Sequence, residues 1–393
     1  MADINNPATP QPERMTVSAI DVCLTAAAAE KVAEAYSLRG RDTIQRGPVG
    51  REFDAAMEDL EIARVMFYQG IDLLDTIPEK FAVKCKARLL TNFVSVCLIE
   101  FHALFGRTQD LTHPQFMVDE VTIQYAKIID KLETESSASP FEEAVYIKCL
   151  IAFGSAYMLF AERYIDHPHR SSKEKAMAYL KNALRANKAL MLRNIDADQK
   201  SSVSVDILAI FDSIIVLKKS ALEQLERRGA SREEMRSFAR ESSFYILNLF
   251  DHMLTMVSDP KLPVKQRNFT FEICVLHKHL MDLPYVRDNV KIYGCSQVLM
   301  WLKQMVPVIL IADGAKATSR LLGVRNLVRE VLSGMMKKMP QCPFVKKSVE
   351  CMKKVELVDD AEKSSKLILD SIDEVLASFP AIDIAAELEG VSW

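Results

Sequence analysis

Apolar side chains recur every three or four positions along nearly the whole chain. Phe53, Met57, Leu60, Arg64, Phe67, Ile71 and Leu74 step by 4, 3, 4, 3, 4 and 3. Val118, Val121, Tyr125, Ile128 and Leu132 keep the same rhythm, as do Ile368, Ile372, Val375 and Phe379. That spacing puts one apolar stripe on each α-helix, because a helix turns once every 3.6 residues. Arg64 is the only polar member of the first row, and Ala63 beside it is expected to take its place. No stretch of four to eight residues alternates as a half-buried strand does. Glycine makes up only 12 of 393 residues, fewer than a fold with many tight hairpin turns requires.

The helix ends are written into the chain as well. Ser139-Pro140-Phe141-Glu142, Ser171-Ser172-Lys173-Glu174, Ser231-Arg232-Glu233-Glu234 and Asp359-Asp360-Ala361-Glu362 read as capping boxes. In each, a side-chain oxygen satisfies a backbone N–H that the first helical turn leaves unpaired. Gly229 stands where the helix before the third box must end. Between such stops the pattern predicts helices near 16–45, 51–76, 79–106, 114–134, 140–165, 172–193, 198–228, 232–258, 263–282, 286–305, 315–338, 343–354 and 360–378. Short links between long helices favour antiparallel neighbours. The expected fold class is therefore all-α, an array of antiparallel helix pairs with a more irregular helical C-terminal region. Pro260, Pro263, Pro284, Pro307, Pro340, Pro343 and Pro380 cut that region into shorter pieces. The expected organisation is a disordered tail over 1–15, a helix-pair array over 16–258, and an irregular helical region with an acidic tail over 259–393.

Within residues 16–193 two helix pairs resemble tetratricopeptide (TPR) repeats. Leu150-Ile151-Ala152-Phe153-Gly154-Ser155-Ala156-Tyr157 resembles that family's first helix, with Gly154 and Tyr157 at its spacing. Ala176, Leu180 and Ala183 resemble the second helix, and Ala56, Leu60 and Ala63 repeat its spacing after Tyr36 and Gly40. The pair departs from the regular 34-residue repeat through an insertion around His167-Pro168-His169, and the family's closing proline is missing. The resemblance implies an α-solenoid whose curved surface receives protein partners.

The search for chemistry returns little. Seven histidines include the close groups His277-Lys278-His279 and His167-Pro168-His169. Residues two apart on a helix face different ways, so His277 and His279 do not easily share an ion, and neither group belongs to a set of three or four ligands with the recurring spacing of a zinc site. Asp359 and Asp360 fit a helix start, where carboxylates favour the dipole. Asp370, Asp373 and Glu374 fall opposite the apolar stripe. No phosphate-cradling glycine motif and no nucleophile signature occurs. The expectation is a non-enzyme with no catalytic, cofactor or metal residue and no cofactor. An all-α enzyme would need an inward ring of polar groups, with Asp206, Asp212, His252 and His277 the residues to watch.

Charge is nearly balanced, with Lys plus Arg 50 against Asp plus Glu 53, which is no footprint of a general nucleic-acid binder. Lys337, Lys338, Lys346, Lys347, Lys353 and Lys354 nevertheless cluster ahead of an acidic tail that ends in the amphipathic piece Ala381–Leu388. They form the expected basic partner-binding patch, for an acidic protein or, alternatively, nucleic acid in a chromatin or nucleocapsid role. The tail piece is expected to dock in cis, covering the last apolar face of the array. Eight scattered cysteines without a C-x-x-C pair read as reduced thiols of a cytoplasmic or nuclear protein. Met1 to Arg14 lacks the apolar core of a signal peptide, and no run of 18 apolar residues occurs, so no membrane partner is expected. The expected function is a protein-binding scaffold or adaptor subunit.

Overall fold

A computed structural model describes residues 17–105, 115–116, 118–124, 126–127, 140–166, 170–262, 269–342, 346, 350 and 360–391. Among these residues the chain is all-α, with no strand. The tail over 1–15, Ser139 and Asp359, the His167–His169 group, part of the 114–134 helix and most of the 343–354 helix lie outside the described residues.

The helices are α1 (Val17–Gln45), α2 (Arg51–Leu74), α3 (Glu79–Phe105), α4 (Pro140–Ile165), α5 (Arg170–Met191), α6 (Ala197–Arg227) and α7 (Arg232–Ser258). Then follow α8 (Thr270–Asp282), α9 (Asp288–Asp313), a 3₁₀ turn at Gly314–Ala317, α10 (Thr318–Lys338), α11 (Ala361–Ser378) and the short α12 (Ile384–Glu387). Residues 115–116, 118–124 and 126–127 are also helical.

Two ends show why local chemistry sets these limits. The Ser231 hydroxyl accepts from the Glu234 N–H at 3.2 Å, and the Glu234 carboxylate accepts from the Ser231 N–H at 2.8 Å. Those reciprocal bonds hold the Glu234 carboxyl below the ordinary carboxylate range. Just before it, Gly229 takes φ +65°. There the Ala230 N–H reaches the Leu225 carbonyl and the Gly229 N–H the Glu226 carbonyl, closing α6 as a Schellman motif does. Ser231→Ala is expected to cost about 1 kcal/mol, read as a lower urea midpoint with an unchanged slope.

Elsewhere the caps differ from the sequence reading. Ser171 lies inside α5, which already begins at Arg170, and Ser172 is buried. The last box is shifted by one residue, with the Asp360 carboxylate accepting from the Lys363 N–H at 3.0 Å. An unpredicted box opens α6, where Asp196 accepts from the Gln199 N–H at 2.8 Å. Pro307 does not end a helix: α9 continues to Asp313. Its ring is exposed while Met305, Val306, Val308 and Ile309 are buried. The missing N–H therefore falls on the solvent face, and burial of the neighbouring apolar residues outweighs the lost bond.

The chain resolves into two compact units. One holds the described residues up to 168 with Arg185–Asn194, the other those of 169–184 and from Ile195 onward. In the first unit α2 packs on α1 and α3, and α3 on α4. Its core includes Phe67, Phe93, Phe101, Phe153 and Phe160, with the Phe101 and Phe160 rings edge to face at 4.7 Å. In the second unit α9 is central, packing on α7, α8, α10, α11 and α12, with Trp301 fully buried in it. The change in proline spacing near residue 260 falls inside this unit. Arg88–Phe105 and Asp288–Asp313 are long and apolar enough to cross a membrane by length and composition, and 44% and 56% of those windows are buried in the protein.

The apolar row of α2 holds one surprise. Arg64 does not yield its place to Ala63; both are buried. The Arg64 Nε lies 3.0 Å from Glu100 Oε2, and its Nη1 3.3 Å from Glu120 Oε2. A second buried carboxylate, Glu30, receives a two-point ion pair from Arg88. Both carboxylates sit on apolar stripes, where a charge is tolerated only when paired.

Candidate functional site

The most strongly built polar feature lies in the second unit. On α7, Arg232, Arg236 and Arg240 follow one another at intervals of four, so they share one exposed face. The helix is anchored by its buried residues, among them Met235, Ser242, Tyr245 and Ile246, while the buried Ala239 lies beside the arginines. The loop between α8 and α9 brings Tyr285 and Arg287 to the same place. Tyr285 is exposed and holds φ +60°, a left-handed conformation that costs a non-glycine residue about 1 kcal/mol or more. Its ring lies 5.9 Å from the Arg232 guanidinium carbon. Together these residues wall a groove of about 480 Å³.

The C-terminal segment closes one side of that groove. Asp383 caps α12 by accepting from the Ala385 and Ala386 N–H groups. One turn later the Glu387 carboxylate accepts from Arg287 Nη1 at 3.0 Å and Asn289 Nδ2 at 2.6 Å. These two donors, Asn289 first, hold its carboxyl below the ordinary range. Arg240 Nη1 donates to the Glu389 carbonyl at 3.1 Å, and Leu388 is buried beside them. Docking of this segment in cis, anticipated from its amphipathic pattern, is thus present. Its fully buried apolar side chain is Leu388, with Ile382 and Ile384 half-buried; the other contacts are one ion pair and hydrogen bonds.

Three lysines of the anticipated patch are among the described residues. Lys337, Lys338 and Lys346 are exposed, while Lys347, Lys353 and Lys354 lie outside the described residues. Lys338 is already paired with Asp282 at 2.7 Å. Lys337 and Lys338 edge a cavity of about 300 Å³ that His277, Cys274 and Glu330 also line. The His277 Nε2 has no hydrogen-bond partner there, and burial pushes the imidazole down to about 4, so the ring is neutral at physiological pH.

His252 Nε2 donates to the Ser204 carbonyl at 3.0 Å, Asp212 is exposed, and Asp206 is half-buried, its carboxyl raised by burial. Lys218, whose amine burial lowers, lies 2.6 Å from Glu241 on the wall of a cavity of about 630 Å³. That ion pair engages the amine. Among the described residues no three His, Cys, Asp or Glu side chains gather as metal ligands. Cys23, Cys85, Cys97, Cys149, Cys274, Cys295 and Cys342 are not disulfide-bonded, and burial pushes Cys149 up to about 12.

The arginine groove was missed at the level of sequence, although one signal was there. Arg232, Arg236 and Arg240 are like charges at i, i+4 and i+8, which destabilise a helix by a few tenths of a kcal/mol per pair. Arg287, Asn289 and Glu387 join them only through tertiary packing.

No family model matches the chain, and no curated protein matches it. Among solved structures, one from the computational design of self-assembling cyclic protein homooligomers is similar at 11% identity, covering 92% of this chain and 95% of its own, with a TM-score of 0.16.

Proposed function

We propose that this chain is a non-enzymatic scaffold or adaptor, a TPR-like array of helix pairs that binds an acidic segment of a protein partner in the arginine groove of its second unit. The observation that carries the reading is the exposed row Arg232, Arg236 and Arg240, joined by Arg287, with a carboxylate seated among them. Such a row weakens its own helix, and arginine's planar fork suits carboxylate recognition. The TPR-like part of the reading is supported in the first unit by the close approach of Gly40 to Ala56 and Leu60. The free thiols support a reducing compartment, cytoplasm or nucleus.

Quantitative affinity purification of the full chain against R232E/R236E/R240E tests this reading. Partners retained by the natural chain are expected to be lost from the variant and to elute at moderate salt. An identical set of partners from both chains would end the proposal. The alternative, a nucleic-acid-associated protein, is favoured by the exposure of Lys337, Lys338 and Lys346. It requires salt-dependent binding of DNA or RNA that K346E/K347E removes.

A further inference from the structure

The C-terminal segment is attached to the groove in a way that differs from every other packed helix of its unit. Helix α11 buries Ile368, Ile372 and Val375 almost completely, whereas α12 buries no residue at all. Beyond α12 the segment contributes one buried side chain, Leu388, and its other attachments are the Glu387 carboxylate and the Glu389 carbonyl. Residues 379–383 join it to α11 without regular structure, and Pro380 prevents the helix from running on. Release of the segment therefore breaks a few exposed polar contacts and uncovers Leu388 and the half-buried Ile382 and Ile384, while the fully buried Ile368, Ile372 and Val375 keep α11 packed. What it leaves without a partner is Arg240 and Arg287, beside the already exposed Arg232 and Arg236.

We propose that residues 383–389 hold the Arg240–Arg287 end of the arginine groove, whose side they close, in exchange with a partner segment that carries an acidic residue directly before a leucine, as Glu387-Leu388 does. This rests on the reading of the groove as a receptor for acidic segments and adds its regulation. The tethered segment competes at an effective concentration on the order of millimolar, so an untethered segment of equal quality is excluded until the tail lets go.

A labelled synthetic peptide of residues 380–391, titrated by fluorescence anisotropy onto full-length protein, tests the proposal. It is expected to bind the E387Q/L388S chain at least about ten-fold more tightly than the natural chain. Adding R240E and R287E to that variant is expected to abolish the binding. Equal affinity for the natural and released chains, or binding indifferent to the two arginines, would overturn the idea. A second measurement uses the natural chain alone. Amides of 384–391 are expected to exchange with deuterium at least about a hundred-fold faster than those in the middle of α7, and equal protection would mark the segment as a fixed part of the core. The two readings fail separately. If the peptide behaves as expected while R232E/R236E/R240E retains every partner, the built-in occupant stands and the adaptor reading falls. If partners need the arginines but the peptide ignores them, the reverse holds.

Discussion

Replacing Arg64 by methionine is expected to destabilise the chain by about 3 kcal/mol at pH 8 and by much less near pH 5. The reason lies in Glu100, which is 1% exposed and has Arg64 Nε at 3.0 Å. Burial pushes its carboxyl up, and although Arg64 pulls it down, the balance leaves it at about 7, against an ordinary 4.5. A folded-state value raised above the unfolded one means that the folded chain holds this proton more tightly. Stability from Glu100 is therefore fully present below about 4.5 and is lost as pH rises through about 7. Over that interval the loss is on the order of 3 kcal/mol. With methionine at 64, the carboxylate that forms at high pH faces Glu120 with no compensating cation, as one-sided removal of a buried pair always leaves it. At pH 5 the carboxyl is already protonated, and the methionine fills most of the same apolar space. Urea titrations of both chains at the two pH values decide the matter, and an equal loss at both would refute the account. Glu100→Gln is expected to flatten the fall in stability between pH 5 and 7.

Gly40→Val is expected to cost about 3 kcal/mol through overpacking. A Cβ at this position would lie 2.7 Å from Leu60 Cγ and 3.0 Å from the Ala56 carbonyl oxygen. A leucine tip can rotate away, but the backbone of α2 cannot, so α1 and α2 must separate along their contact. Valine adds two methyl groups to that clash and loses χ1 freedom in the helix. Differential scanning calorimetry should register a fall of about 8 °C in the first unit's transition. Gly323→Ala is the matched control. Its Cβ meets nothing within 4 Å, so better helix propensity should raise stability by about 0.5–1 kcal/mol. A Gly40→Val chain that melts with the natural one would show that the helices do not touch there.

The helices themselves were legible because everything that makes them is local. The stripe of α2 from Phe53 to Leu74 and the Ser231–Glu234 box each lie within a few turns. Ser171 misled for the same reason, since Ser, Lys and Glu at box spacing serve equally well inside a helix whose first turn begins earlier. Pro307 misled because a proline's effect depends on which face of the helix it occupies, and no local pattern states that. Part of the site was legible too. The amphipathic end Ala381–Leu388 announced a docking segment, but the lysine cluster drew the eye away from the arginines of α7.

Helix content, the positions of several ends and the apolar faces were determined by the sequence alone, since a 3.6-residue period and a capping side chain act over a handful of neighbours. Tertiary structure alone decided that Arg64 belongs in the core beside Glu100, and that Arg240, Arg287 and Glu387 meet. Those groups are separated by tens to more than a hundred residues. Whether a charge is buried against a partner or left to solvent depends on what the folded chain sets opposite it.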